Sequence, residues 1–303
     1  MREPISFGRY LLLDRIDVGG MGEVFLARVM DGEGAGRLVA MKRLLPSLAE
    51  DPELVAMFLD EARIAVQLDH PGVVRIEDLG QHGVIYFIVM EYVPGKDLKA
   101  LLDLLAARGE RIPVPLAVWV TVRVLEALGH AHEKRDALGR ELAIVHRDVS
   151  PRNVLLSFAG EVKLIDFGLA SARARGLEGE SGAVRGKPAY MSPEQARGGP
   201  VDCRADVFAV GVMLCEMLTG ARGVAGERGC ERARTLLDAP HVPPALARAV
   251  RAALASDPAD RPASAAALAQ GLAPHCQGVD AAALGSYLAG WFPDEVARER
   301  ARS

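Results

Sequence analysis

The sequence lacks several features that identify whole classes of protein. Its four cysteines, Cys203, Cys215, Cys230 and Cys276, are too widely spaced to suggest a metal cluster or a disulfide framework. It has no block of basic residues and a formal net charge of -4, which argues against a role at nucleic acid or at a membrane surface. Neither an apolar run of transmembrane length nor an apolar signal core after Met1 is evident. We therefore expect a cytoplasmic protein.

The length and apolar content indicate a folded protein with a large core. A chain of 303 residues fits one large bilobal unit or two ordinary domains, and 50% of the residues are hydrophobic.

Within residues 144–168, the polar side chains of Asp148, Asn153 and Asp166 lie between apolar, strand-like runs. Asp148 is followed five residues later by Asn153, and Asp166 opens an Asp-Phe-Gly sequence at the end of the next predicted strand. This layout predicts a loop, a short hairpin and a metal site, because hard cations prefer oxygen ligands. Asp and Asn also favour turns and caps, so either motif alone has a purely structural alternative. The two motifs together resemble the catalytic and metal-binding segments of eukaryotic-type protein kinases.

The resemblance implies an α+β, two-lobed protein kinase fold. We expect a small antiparallel-sheet N-lobe over residues 1–89, a hinge over 90–96, a mainly helical C-lobe over 97–270 and a C-terminal tail over 271–303. ATP and Mg²⁺ are expected to bind between the lobes.

The resemblance also implies roles for the three polar residues. Asp148 would accept a hydrogen bond from the substrate hydroxyl and hold it in line with the transferring phosphoryl group. Asn153 and Asp166 would be the magnesium ligands.

Residues 10–42 alternate strand-like segments with glycine-rich turns, which predicts a twisted antiparallel sheet. The first turn resembles the kinase glycine-rich loop, with Asp17 where the family has its first glycine. Glycines allow backbone amides to approach phosphates closely, although a plain hairpin turn is the alternative. By the resemblance, this turn contacts ATP through Val18, Gly19, Gly20 and Gly22.

A lysine and a glutamate in this region match a conserved pair of the kinase family. Lys42 ends the strand Val39-Ala40-Met41-Lys42, where the family has the lysine that contacts the ATP phosphates. Residues 51–68 have apolar side chains at helical spacing after Asp51 and Pro52, which predicts a helix. Glu61 stands where this helix carries the lysine's partner, so we expect an ion pair that orients Lys42. An exposed lysine and a plain amphipathic helix are the alternative.

Two further strands, Val73 to Ile76 and Val84 to Val89, are predicted around a turn at residues 80–83. The second strand leads into a sequence that resembles the kinase hinge, with Met90 as gatekeeper and backbone groups of Glu91 and Val93 at the adenine edge. The apolar faces around the adenine ring would come from Val24, Ala40 and Leu155.

From Asp97 onward the pattern becomes helical, with a long apolar helix from about Pro115 to His132. His130 and His132 lack acidic or cysteine partners at ligand spacing. We predict that both are structural.

The polar stretch after Gly168 resembles an activation segment that ends at Ser192-Pro193-Glu194. It contains no threonine, so Ser171 and Ser181 are the hydroxyl candidates for phosphorylation before Tyr190. A loop that needs no phosphate is equally consistent with the sequence.

Two later residues match scaffold positions of the family. Asp206 corresponds to the aspartate that braces the catalytic-loop backbone, and Arg261 corresponds to the arginine that pairs with Glu194.

Two departures from the family pattern stand out. Ser150 replaces the lysine that lies two residues after the catalytic aspartate, and Lys187 replaces a threonine at the end of the activation segment. We hypothesise that Lys187 supplies the catalytic charge that Ser150 cannot, with neutral drift as the alternative.

The tail carries an amphipathic pattern over residues 279–292. Its apolar positions are Leu284, Leu288, Trp291 and Phe292. Pro293 then interrupts, and a charged segment follows. Intramolecular docking is the simpler expectation, and binding of a partner is the alternative.

The resemblance identifies a bacterial eukaryotic-like (Hanks-type) serine/threonine kinase that uses ATP and Mg²⁺ to phosphorylate protein substrates, itself included. A pseudokinase that acts as an ATP-binding scaffold is the alternative, and dual specificity stays open. The sequence does not identify the substrate, the upstream signal or the oligomeric state.

Overall fold

The computed structural model describes residues 4–19, 21–167, 188–221 and 227–302. These residues form two compact units. The first comprises residues 4–69, Val74–Val93 and Phe167. The second comprises His70–Val73, Pro94–Asp166 and the described residues from 188 onward.

The first unit is built on a six-stranded sheet in which all neighbouring strands are antiparallel, in the order β1-β2-β3-β4-β6-β5. This confirms the predicted sheet-rich lobe. The strands are β1 (Ile5–Phe7), β2 (Tyr10–Val18), β3 (Gly22–Val29), β4 (Leu38–Leu44), β5 (Ile76–His82) and β6 (Ile85–Glu91).

Side-chain alternation gives this sheet two different faces. Val39 and Met41 of β4 belong to a buried aromatic and aliphatic cluster on one face. Ala40 and Lys42 point to the other face, because successive side chains of a strand alternate. Helix α1 (Pro52–Val66) packs on that second face. The buried cluster there contains Leu44, Phe58, Ala62 and Ile88.

Helix α1 begins where its sequence predicts. The Asp51 carboxylate accepts hydrogen bonds from the amides of Glu53 at 2.9 Å and Leu54 at 3.4 Å. Pro52 follows at the first helical position, where its missing N–H costs nothing.

The prediction of a strand over Val73 to Ile76 is wrong. Strand β5 begins at Ile76 and continues through Gly80 to His82, so that the turn lies at Gly83 and Val84. Val73 is buried and forms an isolated bridge with Leu164. Its apolar character therefore reflects burial and not a strand.

The second unit is mainly helical, as predicted for the C-lobe. Its helices are α2 (Leu98–Ala107), α3 (Val114–His132), α4 (Pro193–Ala196), α5 (Arg204–Thr219), α6 (Glu227–Leu236), α7 (Pro244–Ala253), α8 (Ala265–Leu272), α9 (Ala281–Trp291) and α10 (Pro293–Arg302).

Helix α3 corrects the expectation that no apolar run has transmembrane length. By length and composition it is the one helix of the described residues that could cross a membrane, and 61% of its apolar window is buried. It packs against α5 and α8, which accounts for apolar residues around most of its circumference.

A three-stranded antiparallel sheet completes the second unit. Strands β7 (Gly95–Asp97), β8 (Val154–Ser157) and β9 (Val162–Leu164) lie in that order. Strands β8 and β9 form the hairpin predicted from the polar residues at its ends.

The C-terminal tail is part of the second unit and forms two helices, α9 and α10, with α10 beginning at Pro293. Leu284 and Leu288 of α9 are buried, and Phe292 at its end is 7% exposed. Intramolecular docking is therefore what covers the apolar face predicted for residues 279–292.

Candidate active site

The loop that carries Asp148 is anchored by a fully buried aspartate. Asp206, in the first turn of α5, accepts hydrogen bonds from the His146 amide at 2.8 Å and the Arg147 amide at 2.7 Å. Its carboxylate also lies 2.8 Å from His132 Nε2. The predicted brace is present, and His132, predicted to be structural, is part of it.

Asp148 is held from the other side by Asn153. The Asn153 Nδ2 atom donates to the Asp148 carbonyl at 2.8 Å and to its carboxylate Oδ2 at 3.2 Å. Residues 151–153 form a single 3₁₀ turn, and the Asn153 amide donates to the Ser150 carbonyl. The side chain of Asn153 is buried, so the carboxylate of Asp148 has a fixed neighbour.

Two residues of this loop and hairpin adopt backbone conformations that side chains rarely tolerate. Arg147 and Asp166 both have φ of 62°. A left-handed conformation costs a non-glycine residue about 1–2 kcal/mol. Such strain persists where the surroundings determine it, and it clusters at functional sites. Asp206 holds Arg147, and the adjacent residue Ile165 donates its amide to the Asn153 carbonyl at 3.1 Å.

The oxygen donors around the hairpin fit a magnesium ion. Asn153 directly precedes β8, and Asp166 follows β9 by two residues. The Asn153 amide nitrogen bonds to Asp148, which leaves its oxygen as the donor that a hard cation prefers. No cluster of three His, Cys, Asp or Glu residues suited to a metal occurs in the described part of the chain. A set of one amide and one carboxylate matches an ion that is shared with substrate phosphates.

In the first unit, the predicted pair of Lys42 and Glu61 forms. Lys42 Nζ lies 2.7 Å from Glu61 Oε1, and the two side chains are only 10% and 6% exposed. The exposed-lysine alternative is therefore wrong. Because the pair joins β4 to α1, the orientation of the lysine depends on how the helix packs.

The glycine-rich turn connects β2 to β3. The Gly19 amide donates to the Gly22 carbonyl at 2.8 Å, and the Val18 amide donates to the Asp17 carboxylate at 2.8 Å. The sheet itself requires a glycine at position 22, because an added Cβ would lie 2.3 Å from the Arg43 carbonyl oxygen. Gly20 lies outside the described residues.

The residues predicted to surround the adenine are distributed over both units. Ala40 is the direct cross-strand partner of Met90. Val24 pairs with Lys42 across β3 and β4. The Glu91 amide donates to the Arg75 carbonyl at 3.0 Å, and the Glu91 carboxylate accepts from the Arg75 amide at 2.9 Å. Val93 is the last residue of the Val74–Val93 segment of the first unit.

In the second unit, Leu155 lies in β8 between Asp97 of β7 and Lys163 of β9.

The end of the predicted activation segment is tied to the scaffold by a bidentate ion pair. Arg261 donates to the two carboxylate oxygens of Glu194 at 2.7 and 2.8 Å, as predicted. Burial acts to raise the pKa of Glu194, but the hydrogen bonds and charge of Arg261, together with hydrogen bonds from the Glu194 amide and from Ser192, outweigh it, and the pKa is lowered.

Sequence reasoning missed Gln195. Its amide nitrogen donates to the Arg147 carbonyl at 2.9 Å, while its oxygen accepts from the Ser192 amide in a capping box. It therefore links helix α4 directly to the catalytic loop. The Ser-x-x-Gln spacing signals a capping box, but no local pattern signals the contact with Arg147.

Besides Gly20, the residues Gly168, Ser171, Ser181 and Lys187 named from the sequence lie outside the described part of the chain. Ser150 is described and is 8% exposed. The Lys187 hypothesis therefore stays a prediction.

The comparisons with known proteins agree with this geometry. Residues 10–271 match the family model described as a protein kinase domain. The chain is 40% identical over 309 residues to the tyrosine-protein kinase MasK of Myxococcus xanthus, covering 98% of this chain and 48% of MasK. It is 37% identical over 265 residues to the serine/threonine-protein kinase PrkC of Bacillus subtilis, covering 84% of this chain and 38% of PrkC.

A solved structure shows the same fold. The crystal structure of the Mycobacterium tuberculosis PknI kinase domain is similar with a TM-score of 0.68 and 25% identity, over 91% of this chain and 99% of that chain. The chain thus spans one whole kinase domain but less than half the length of MasK and PrkC. It belongs to the protein kinase family, among the bacterial Hanks-type serine/threonine kinases.

Proposed function

We propose that the chain transfers the γ-phosphate of ATP to serine and threonine hydroxyls of protein substrates, itself included. The observation that carries this proposal is the constraint on Asp148. Asn153 fixes its carboxylate, and Asp206 fixes the two residues before it. Positioning of the attacking hydroxyl is the main task of a kinase, so a rigidly held carboxylate suits it.

Asp148 accepts a hydrogen bond from the substrate hydroxyl and takes its proton as the new oxygen–phosphorus bond forms and ADP leaves. Asn153 and Asp166 hold Mg²⁺ through their side-chain oxygens. When bound, the ion neutralises charge on the nonbridging phosphate oxygens.

Residues of the first unit bind the nucleotide in this proposal. Lys42 contacts the phosphates, and Glu61 keeps it oriented. The turn at Val18, Gly19 and Gly22 contacts the phosphates, and its glycines let the backbone approach them closely. At the adenine edge, the proposed contacts are the gatekeeper Met90, the backbone of Glu91 and Val93, and the apolar faces of Val24, Ala40 and Leu155. A cytoplasmic location is part of the proposal.

Tyrosine is the second candidate acceptor, because MasK is named a tyrosine-protein kinase and aligns over 98% of this chain. Serine and threonine are favoured by the larger group of relatives with that name, such as PrkC and PknL. Phosphoamino-acid analysis of the autophosphorylated protein separates the two acceptors. Phosphotyrosine as the sole product would replace the serine/threonine assignment.

The test of catalysis uses purified protein, labelled ATP, Mg²⁺ and a generic protein substrate. Asp148→Asn is expected to lower the transfer rate by about 10²–10⁴-fold, the usual contribution of a positioned acid–base group. The matched control is Asp103→Asn, which alters an exposed i,i+4 pair with Lys99 on α2. Wild-type protein that binds ATP without transferring phosphate would support the pseudokinase alternative, and full activity in Asp148→Asn would refute the assigned role.

A further inference from the structure

The first tail helix, α9, packs backbone to backbone against the closed end of the β8–β9 hairpin. Gly160 in the hairpin turn has φ of +91°, and an added Cβ there would lie 1.7 Å from the Ala281 carbonyl oxygen. An added Cβ on Gly285 of α9 would lie 2.8 Å from the Phe158 carbonyl oxygen. Neither position has room for a side chain. The tail is therefore fitted to this turn and does not merely lie near it.

Aromatic and charged contacts extend the same interface. The rings of Phe158, in the turn, and Phe292, at the end of α9, have centroids 6.5 Å apart. Lys96 Nζ of β7 lies 5.6 Å from the centre of the Phe292 ring and 3.3 Å from Glu295 of α10. Lys96 is also the strand partner of Leu156 in β8. The tail thus contacts the three-stranded sheet at both β7 and the hairpin turn.

The opposite, open end of the same hairpin carries the two proposed magnesium ligands. Strand β8 starts directly after Asn153, and β9 ends two residues before Asp166. The Ile165 amide closes this end by donating to the Asn153 carbonyl. Four residues of strand separate the two ends, which is about 13 Å at ~3.3 Å per residue. The strands of this three-stranded sheet are only three or four residues long, so packing at the closed end of the hairpin contributes to its geometry.

We propose that α9 clamps the turn at residues 158–161, that α10 supports it through the contact of Glu295 with Lys96 of β7, and that the tail so acts as a positioning element for Asn153 and Asp166. The tail lies beyond residues 10–271 that match the kinase family model, so this is an addition to the shared domain. The proposal rests on the magnesium-binding role given above. Loss of the clamp should lower the affinity for Mg²⁺ with nucleotide more than it lowers the affinity for nucleotide alone.

Two glycines of the same helix provide a matched pair of variants. Gly285→Val places side-chain atoms against the Phe158 carbonyl, whereas an added Cβ on Gly290 meets nothing within 4 Å. Valine and glycine have similar helix propensities, so Gly290→Val controls for the helix itself. Phe292→Leu is a milder second variant, because it keeps an apolar side chain but removes the ring that contacts Phe158 and Lys96.

The measurement is nucleotide affinity of the full chain over a Mg²⁺ titration, with Tm recorded for each variant. We expect Gly285→Val to raise the apparent dissociation constant for Mg²⁺ by ~10-fold, because changes to residues that orient metal ligands have effects of this size. The affinity for nucleotide without Mg²⁺ should stay at the wild-type value. Phe292→Leu should shift the dissociation constant for Mg²⁺ in the same direction by less, and Gly290→Val should match wild type.

An unchanged Mg²⁺ constant in folded Gly285→Val and Phe292→Leu, with only Tm lowered, would overturn the clamp and leave the proposed function standing. Wild-type protein whose nucleotide affinity is independent of Mg²⁺ would overturn the proposed function and the clamp with it.

Discussion

Asp206→Asn is expected to loosen the catalytic loop by more than the loss of a single hydrogen bond. The aspartate uses one oxygen for the Arg147 amide and the other for the His146 amide and His132. An asparagine has only one acceptor oxygen. The cheaper orientation keeps that oxygen toward His146 and His132 and turns the NH₂ group toward the Arg147 amide.

The cost follows from this arrangement. A buried backbone donor that loses its acceptor costs about 1–3 kcal/mol. The two remaining bonds become neutral and lose about half their strength, or ~1.5–3 kcal/mol together. The free energy of unfolding should therefore fall by about 2.5–6 kcal/mol. Arg147 loses the contact that holds its left-handed backbone, and a displacement of Asp148 by about 1 Å should lower kcat by ~10²-fold.

Urea unfolding measures the first effect, and steady-state phosphotransfer at a temperature where every variant is folded measures the second. His132→Leu removes a single bond to Asp206 and should cost about 1 kcal/mol, whereas His132→Gln retains a donor at the same place and should recover most of it. A folded Asp206→Asn protein with wild-type kcat would refute the idea that this brace positions the loop. If the free energy of unfolding of Asp206→Asn lies within about 0.5 kcal/mol of the wild-type value, the energies assigned to the hydrogen bonds of Asp206 are wrong.

Three further outcomes are expected. Glu61→Ala removes the buried carboxylate beside Lys42 and should lower the free energy of unfolding by about 3–5 kcal/mol in urea titrations; a loss below 1 kcal/mol would contradict a strongly coupled pair. Because Arg261 helps to lower the pKa of Glu194, the ionised carboxylate stabilises the fold above its unfolded pKa of 4.5, and this stabilisation is lost as the pH falls further. In Glu194→Gln, the free energy of unfolding should therefore depend less steeply on pH at acidic pH. If Lys187 replaces the missing lysine of the family, Lys187→Ala should slow phosphotransfer at least tenfold, and wild-type speed would end that hypothesis.

The parts of the fold that were predictable are those with strong local signals. Asp51 and Pro52 define the start of α1 because capping chemistry is local, and Glu61 faces Lys42 because helical spacing fixes which residues share a face. The hairpin between Asn153 and Asp166 was predictable because apolar strands and a Gly-containing turn separate the two residues.

The missed features depend on tertiary contacts. Strand β5 is an edge strand with polar residues such as Glu77 and Gln81, and its conformation comes from pairing with β6. The Gln195 contact with Arg147 joins segments 48 residues apart. The close contact between α9 and the turn at Gly160 likewise leaves no pattern in the sequence. A glycine is expected in a hairpin turn whether or not a helix packs against it.

The central claim is that Asn153 and Asp166 hold the metal ion beside the carboxylate of Asp148. Its most direct test is binding of Mn²⁺, as a paramagnetic substitute for Mg²⁺, in the presence of a non-hydrolysable ATP analogue, measured by electron paramagnetic resonance. Wild-type protein should bind Mn²⁺ with the nucleotide, and Asp166→Asn should weaken that binding by at least ~10-fold. Equal Mn²⁺ affinity in wild type and Asp166→Asn would contradict the claim.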